Sequence, residues 1–245
     1  MATVIAGVSG AIGSALAQRY LEARPEQSLI GLCRHPERVP QALRQDSRVH
    51  LLAWSADSQG QVLMEQGLQA LLDAGGGVED LIYAAGLLHD DGLFPEKRLD
   101  ELNPDNLARA FEVNCIGFGM LVKTLAGGLR GKHLKRVVAV SAKVGSITDN
   151  QLGGWYAYRC SKAALNMMVK NLSVELPRRY APVACVALHP GTTRSALSEP
   201  FSQSLAKLMV HEPSETADNL FGVIQSLSEA DNGRFISWDG RDLPW

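Results

Sequence analysis

A three-layer α/β fold is the architecture this 245-residue sequence predicts, with a doubly wound parallel sheet of seven strands covered by helices on both faces. Three observations carry that expectation. Seven short runs rich in Val, Ile and Leu alternate with longer amphipathic stretches. The apolar runs are nearly continuous, as strands buried on both faces of a parallel sheet should be. Three glycines, Gly7, Gly10 and Gly13, cluster where the first run gives way to the first amphipathic stretch. No fixed-period repeat or low-complexity linker interrupts the order, so residues 1–245 read as one domain.

Strands are expected at Thr3–Val8, Ser28–Cys33, Val49–Ala53, Asp80–Ala85, Arg136–Ala142, Val183–Leu188 and Arg234–Trp238. Helices are expected between them. Ile12–Ala23 sets Ile12, Leu16, Ala17 and Tyr20 on one face, and Gln59–Leu72 repeats Leu and Met at helical spacing. Pro104–Leu129 and Trp155–Arg178 are long, and Pro213–Ser228 closes the set. Right-handed crossovers then place a ligand at the carboxyl ends of the strands, where the strand order reverses.

Hydrophobic residues make up 46% of the chain and charged residues 20%, near the globular average, which excludes long disorder. The net charge of −2 lacks the basic excess of a nucleic-acid binder, so no nucleic-acid partner is expected. No apolar run approaches the roughly 20 residues of a membrane helix, so no membrane partner is expected either. The first strand begins too near Met1 to leave room for a leader, and a cytoplasmic protein is expected. Cys33, Cys115, Cys160 and Cys185 show no zinc spacing and read as reduced thiols.

The first strand runs into Ala6-Gly7-Val8-Ser9-Gly10-Ala11-Ile12-Gly13, and a helix follows at once. Such a turn brings backbone amides and the positive end of a helix dipole to a pyrophosphate. Gly7, Ser9, Gly10, Ala11, Ile12 and Gly13 are therefore candidate cofactor-binding residues, although their spacing is not G-x-G-x-x-G. Arg34 directly follows the second strand, where an acid would hold the ribose hydroxyls of NAD. A guanidinium suits a 2′-phosphate, so NADP(H) is favoured over NAD(H).

Tyr158 and Lys162 lie four apart in a helical stretch, which puts both on one face. A nearby ammonium favours the phenolate and moves a phenol pKa from about 10 towards working pH. Such a tyrosine can give a proton to a developing alkoxide or take one from an alcohol.

In order along the chain stand the glycine turn, Asn114, the strand ending at Ser141, Tyr158 with Lys162, and His189-Pro190-Gly191-Thr192. This set spans nearly the whole chain and resembles the short-chain dehydrogenase/reductase family. The match is closest to its sniffer-like and C-factor-like carbonyl reductases, through SAKVGSITDN, GGWYAYRCSKAALN and the ending WDGRDLPW. The resemblance implies a Rossmann-like sheet of order 3-2-1-4-5-6-7 and assembly as homodimers or homotetramers. It implies Tyr158 as proton donor, Lys162 as the lysine that lowers its pKa, and Asn114 as the holder of a water in a proton relay. Pro190, Gly191 and Thr192 match the loop at the nicotinamide end. Ala85 and Gly86 fall in the tetrad that ends the fourth strand. Hydride would pass between NADP(H) and a small-molecule carbonyl or alcohol. The alternative is an NADP(H)-binding signalling or regulatory protein with little turnover.

The chain departs from the family pattern in four places. Ala6 and Ala11 replace a threonine and a glycine in the turn, and the tetrad reads Tyr83-Ala84-Ala85-Gly86 in place of two asparagines. Trp54-Ser55 stands where an acid meets adenine, with Asp57 beyond. Counting back from Gly145, the family's catalytic serine falls on Ala142. Ser141 is taken as the candidate, with Ser146 as understudy, although neighbours on a strand point to opposite faces. His89-Asp90-Asp91 reads as a solvated loop, and Trp155 and Tyr156 as cleft lining or helix-start packing. Thr193–Gln203 sits where the family places a mobile segment over the substrate.

Overall fold

The computed structural model describes residues 1–56, 68, 77–201 and 209–245. Seven parallel strands form one sheet: β1 (Ala2–Ala6), β2 (Ser28–Cys33), β3 (Val49–Ala53), β4 (Val78–Tyr83), β5 (Lys135–Val140), β6 (Val183–His189) and β7 (Phe235–Ser237). Their order is β3-β2-β1-β4-β5-β6-β7. Each expected strand is present, Ser28–Cys33 and Val49–Ala53 with the expected bounds and the others with one or both ends shifted by at most two residues. β1 stops at Ala6 and β4 at Tyr83, because the chain beyond each turns along the edge that carries the glycines. A separate short ladder pairs Thr192–Thr193 with Val210–His211.

Strand parity explains the layers. Val4, Leu81 and Val137 face one apolar cluster, while their neighbours Ile5, Ile82 and Val138 face another. The first is closed by α2 (Pro104–Leu125), through Phe118, Leu121 and Leu125, and by α3 (Tyr156–Glu175), through Leu165 and Val169. The second is closed by α1 (Ala11–Ala23), through Leu16, Ala17 and Tyr20, and by α4 (Pro213–Ser226), through Leu220 and Ile224. The expected helix at Gln59–Leu72 lies outside the described residues except Leu68, which is buried.

Two long helices differ from expectation. Pro104–Leu129 is not one regular helix: α2 passes through a π-helical turn at Glu112–Ile116 and ends in a 3₁₀ segment, Ala126–Leu129. Such turns recur at functional sites. Trp155–Arg178 starts one residue later, since Trp155 is left-handed, and ends at Glu175 before a short helix Pro177–Tyr180.

At the amino edge of the sheet, Asp80 is fully buried between Arg24 and Arg136 at 3.2 and 3.0 Å, and Glu79 joins both guanidiniums. The glycine turn lies at the opposite, carboxyl edge. Among the described residues, no helix is long and apolar enough to cross a membrane, and no group of three His, Cys, Asp or Glu could hold a metal ion.

Candidate active site

A cleft of about 860 Å³ runs along the carboxyl edge. It is lined at one end by Gly7, Ser9, Gly10, Ala11 and Ile12, with Arg34 and Arg38 beside them, and at the other by Tyr158, Trp155 and Phe201. The turn after β1 is held between its neighbours: Gly7 N–H donates to the Leu32 carbonyl at 2.8 Å, and Ala84 N–H to the Ala6 carbonyl at 2.8 Å. Gly7 has φ +86°, and a Cβ there would come within 2.6 Å of the Ala85 nitrogen. Gly13 does not line the cleft; it is buried, and its missing Cβ makes room for the Gly7 carbonyl. No side chain caps the start of α1. An uncapped helix terminus beneath a tight glycine turn could hold a pyrophosphate, and Arg34 and Arg38 are both exposed at that end of the cleft. Sequence reasoning missed Arg38, whose signal was its place four residues beyond Arg34.

Ala85, Gly86, Pro190, Gly191 and Thr192 also line the cleft, between its two ends. Asn114 sits behind them, fully buried on the π-helical turn. Its side chain exchanges two 2.8 Å bonds with Leu87 N–H and carbonyl, and its amide donates to Ser161 Oγ at 2.9 Å. Tyr83, which replaces the first asparagine of the tetrad, donates its hydroxyl to the Val113 carbonyl at 2.6 Å and so braces that turn.

Tyr158 and Lys162 share the face of α3 that meets the cleft. Lys162 Nζ donates to the Val140 carbonyl at 3.0 Å and lies 5.9 Å from the Tyr158 ring centroid. Among the described residues the Tyr158 hydroxyl has no hydrogen-bond partner, and the ring is only partly buried. Burial pushes Tyr158 up to about 12 and Lys162 down to about 8, where Cys115 opposes the fall. The expected lowering of the phenol by the ammonium is therefore not the dominant effect in the protein alone. Desolvation disfavours the charged form of each group, so the pair holds a protonated phenol beside a readily neutralised lysine. His189, lining the same cleft, is held down to about 4 by burial and by Lys143, and is neutral at pH 7.

The two serines are not equivalent to a free hydroxyl at the cleft. Ser141 Oγ donates to Asn166 Oδ1 at 2.7 Å and the residue is 2% exposed. Its N–H still bonds the Leu188 carbonyl, so the strand pleat continues and turns its side chain towards α3. Ser146 Oγ donates to the Trp245 carbonyl at 3.3 Å and accepts from Asp149 N–H at 3.1 Å. Ser141 and Ala142 both line the cleft, whereas Ser146 is not among its lining residues. Asp90 of the acidic loop accepts from Gly92 and Leu93 N–H and pairs with Arg109 at 2.6 Å, a structural arrangement. Of Thr193–Gln203, residues 202–203 lie outside the described residues.

Comparisons with known proteins bear on the fold and the family. The carbonyl reductase Sniffer of D. melanogaster superposes with a TM-score of 0.84 at 24% identity, covering 100% of this chain and 99% of that one. An NADPH-bound carbonyl reductase from chicken fatty liver superposes at 0.85, also at 24% identity, covering 99% and 98%. These likenesses show the fold. In sequence, the C-signal protein of Myxococcus xanthus is 34% identical over 170 residues, 69% of this chain and 94% of that protein. The model of the family described as short chain dehydrogenase matches residues 1–206. The chain belongs to that family of nicotinamide-dependent oxidoreductases.

Proposed function

We propose that this protein is an NADP(H)-dependent reductase of small-molecule ketones or aldehydes, able to run in reverse as an alcohol dehydrogenase. The observation that carries the reading is Tyr158, whose hydroxyl has no partner among the described residues and which lines a cleft continuous with the glycine turn and Arg34. A nicotinamide dinucleotide bound there would supply the hydride. Tyr158 donates its proton to the carbonyl oxygen as negative charge develops, and Lys162 stabilises the resulting phenolate. Asn114 fixes the Leu87 backbone and Ser161 behind them, which preorganises the site. The NADPH-bound state of the chicken carbonyl reductase supports the cofactor, and the carbonyl reductase neighbours support the reaction. We place the enzyme in the cytoplasm as a homodimer or homotetramer, with Ile116, Met167 and Val174 as exposed apolar positions on α2 and α3.

The purified protein should consume NADPH with members of a panel of aldehydes and ketones, and calorimetry should give tighter binding of NADPH than of NADH. Arg34→Ala should narrow that difference by roughly tenfold, as expected for one charge-assisted phosphate contact. Equal affinities in the wild type would overturn the cofactor assignment.

The free-enzyme kcat/KM for reduction should be flat from pH 6 to 7.5 and fall above about 8, as Lys162 loses its proton. The sign follows from the mechanism: the falling limb tracks loss of the charge that stabilises the phenolate. A rate that rises through pH 8–9 would contradict this role.

Ser141→Ala should leave kcat within about threefold and lower stability by about 1 kcal/mol through the lost bond to Asn166. Ala142→Ser should raise kcat, by roughly tenfold or more, because one oxyanion donor is worth about 10²–10³. Steady-state kinetics and thermal unfolding of both variants check this pair. A large loss of kcat in Ser141→Ala, at unchanged stability, would restore Ser141 as the catalytic hydroxyl.

A second reading, a cofactor-binding signalling protein with little turnover, draws on the engaged Ser141 hydroxyl and the likeness to C-signal. Tight NADPH binding beside an inactive carbonyl panel would favour it.

A further inference from the structure

Beyond Tyr158, the cleft ends in rings. The Trp155 ring stands 6.3 Å from that of Tyr158 and 5.0 Å from Phe201. Phe201 in turn meets Phe94 at 5.5 Å and His89 at 5.9 Å. The rings come from three separate stretches: the loop after β4, the start of α3, and the segment after β6. His89 Nε2 lies 3.1 and 3.2 Å from the Ala196 and Leu197 carbonyl oxygens, which ties the first stretch to the third.

The position of the indole is actively held. Trp155 has φ 50° and ψ 43°, a left-handed conformation that is uncommon for a bulky residue. Its N–H donates to the Glu96 carbonyl, and the Glu96 carboxylate accepts from Ala157 N–H at 3.1 Å. Glu96 is itself 2% exposed, so a buried anchor keeps both the bend and the first turn of α3 in place. Backbone kept in a rarely used region tends to mark a functional surface.

The rings remain partly wet. Trp155, Phe201 and His89 line the cleft, and Phe94 is 51% exposed at the rim. Among the described residues that line this end of the cleft, Arg109 pairs with Asp90 and Lys143 with Asp149, ion pairs that offset the positive charge a substrate carboxylate or phosphate would meet. Ala142 and Val144 complete an apolar floor. Ring edges and faces in such a place gain most from a flat aromatic partner, through burial and through edge-to-face contact.

We propose that this ring cluster is the substrate subsite for an uncharged aromatic group carried directly on the reacting carbonyl carbon, so that aryl ketones and aromatic aldehydes are the preferred substrates. This rests on the reductase reading and adds the substrate class to it. Conjugation makes an aryl ketone intrinsically less electrophilic than its saturated counterpart, so a preference for it reports binding rather than reactivity.

The test compares 1-phenyl-1-propanone with 1-cyclohexyl-1-propanone, matched in size and functional group, by NADPH consumption. The wild type should favour the phenyl ketone by tenfold or more in kcat/KM. Phe201→Leu and Trp155→Leu should each cut that ratio by roughly tenfold, lowering kcat/KM for the phenyl ketone more than for the cyclohexyl ketone. Since Trp155→Leu could disturb the start of α3, Phe201→Leu and Phe94→Leu carry the result without it. Equal use of the two ketones by the wild type, or an unchanged ratio in Phe201→Leu, overturns the aromatic subsite alone. Turnover of no carbonyl at all overturns the reductase reading, and this one with it.

Discussion

Replacing Tyr158 with Phe should lower carbonyl reduction by roughly 10²–10⁴-fold, the range for losing a positioned general acid, with NADPH affinity unchanged. The change removes one hydroxyl from a ring whose volume is otherwise kept. The ring's contact with Trp155 does not need that hydroxyl, and the hydroxyl bonds no described protein group. Fold and cofactor binding should therefore survive. Loss of rate with intact binding is then attributable to the proton. Calorimetry with NADPH and steady-state kinetics on the same preparation separate the two. If the Phe variant turned over at near wild-type rate, the proton would have to come from elsewhere in the cleft, and the mechanism would fail. His189, held neutral with its Nδ1 3.3 Å from Lys143 N–H, would be the next group to examine.

The second large effect should come from one methyl group. In Gly13→Ala the new Cβ would stand 2.2 Å from the Gly7 carbonyl oxygen, far inside contact distance and against backbone. The turn cannot retreat, because Gly7 is already pressed on Ala84 and Ala85 at the end of β4. Either α1 shifts away from the turn or the turn opens, and both misplace the amides meant for the pyrophosphate. NADPH affinity should fall by roughly 100-fold or more, since about 2.7 kcal/mol of misplaced contacts suffices for that. The neighbouring Gly10→Ala makes the control: its Cβ would meet the same oxygen at 3.3 Å, with an ordinary φ of −82°, and binding should hold within a few-fold. Titration of both variants with NADPH, beside their thermal unfolding, distinguishes a broken turn from a broken fold. Equal affinity in Gly13→Ala would mean that this turn does not hold the cofactor.

The elements that sequence reasoning placed are those whose signal is local. Buried parallel strands announce themselves as apolar runs, and the Tyr158–Lys162 pair needs only helical spacing to share a face. What is not legible locally depends on distant partners. Ser141 lines the cleft, but its hydroxyl is engaged by Asn166, 25 residues along the chain, and no local pattern displays that bond. The π-helical turn adds one residue to a helix whose apolar pattern continues on either side, and the brace from Tyr83 is 30 residues away. Trp155 follows Gly153 and Gly154, both at positive φ, but a bulky aromatic is among the least expected residues to continue in that region. The ring cluster is assembled from segments as much as 112 residues apart, His89 to Phe201, so no local pattern displays it.

The ionic knot of Arg24, Glu79, Asp80 and Arg136 anchors the starts of the same strands whose far ends carry the cleft. Stability and chemistry are thus written at opposite margins of one sheet. A lineage carrying this fold can vary the rings, the turn to Arg34 or the residue at 142 and explore new substrates, while the knot continues to hold a buried carboxylate that would be costly to leave unpaired.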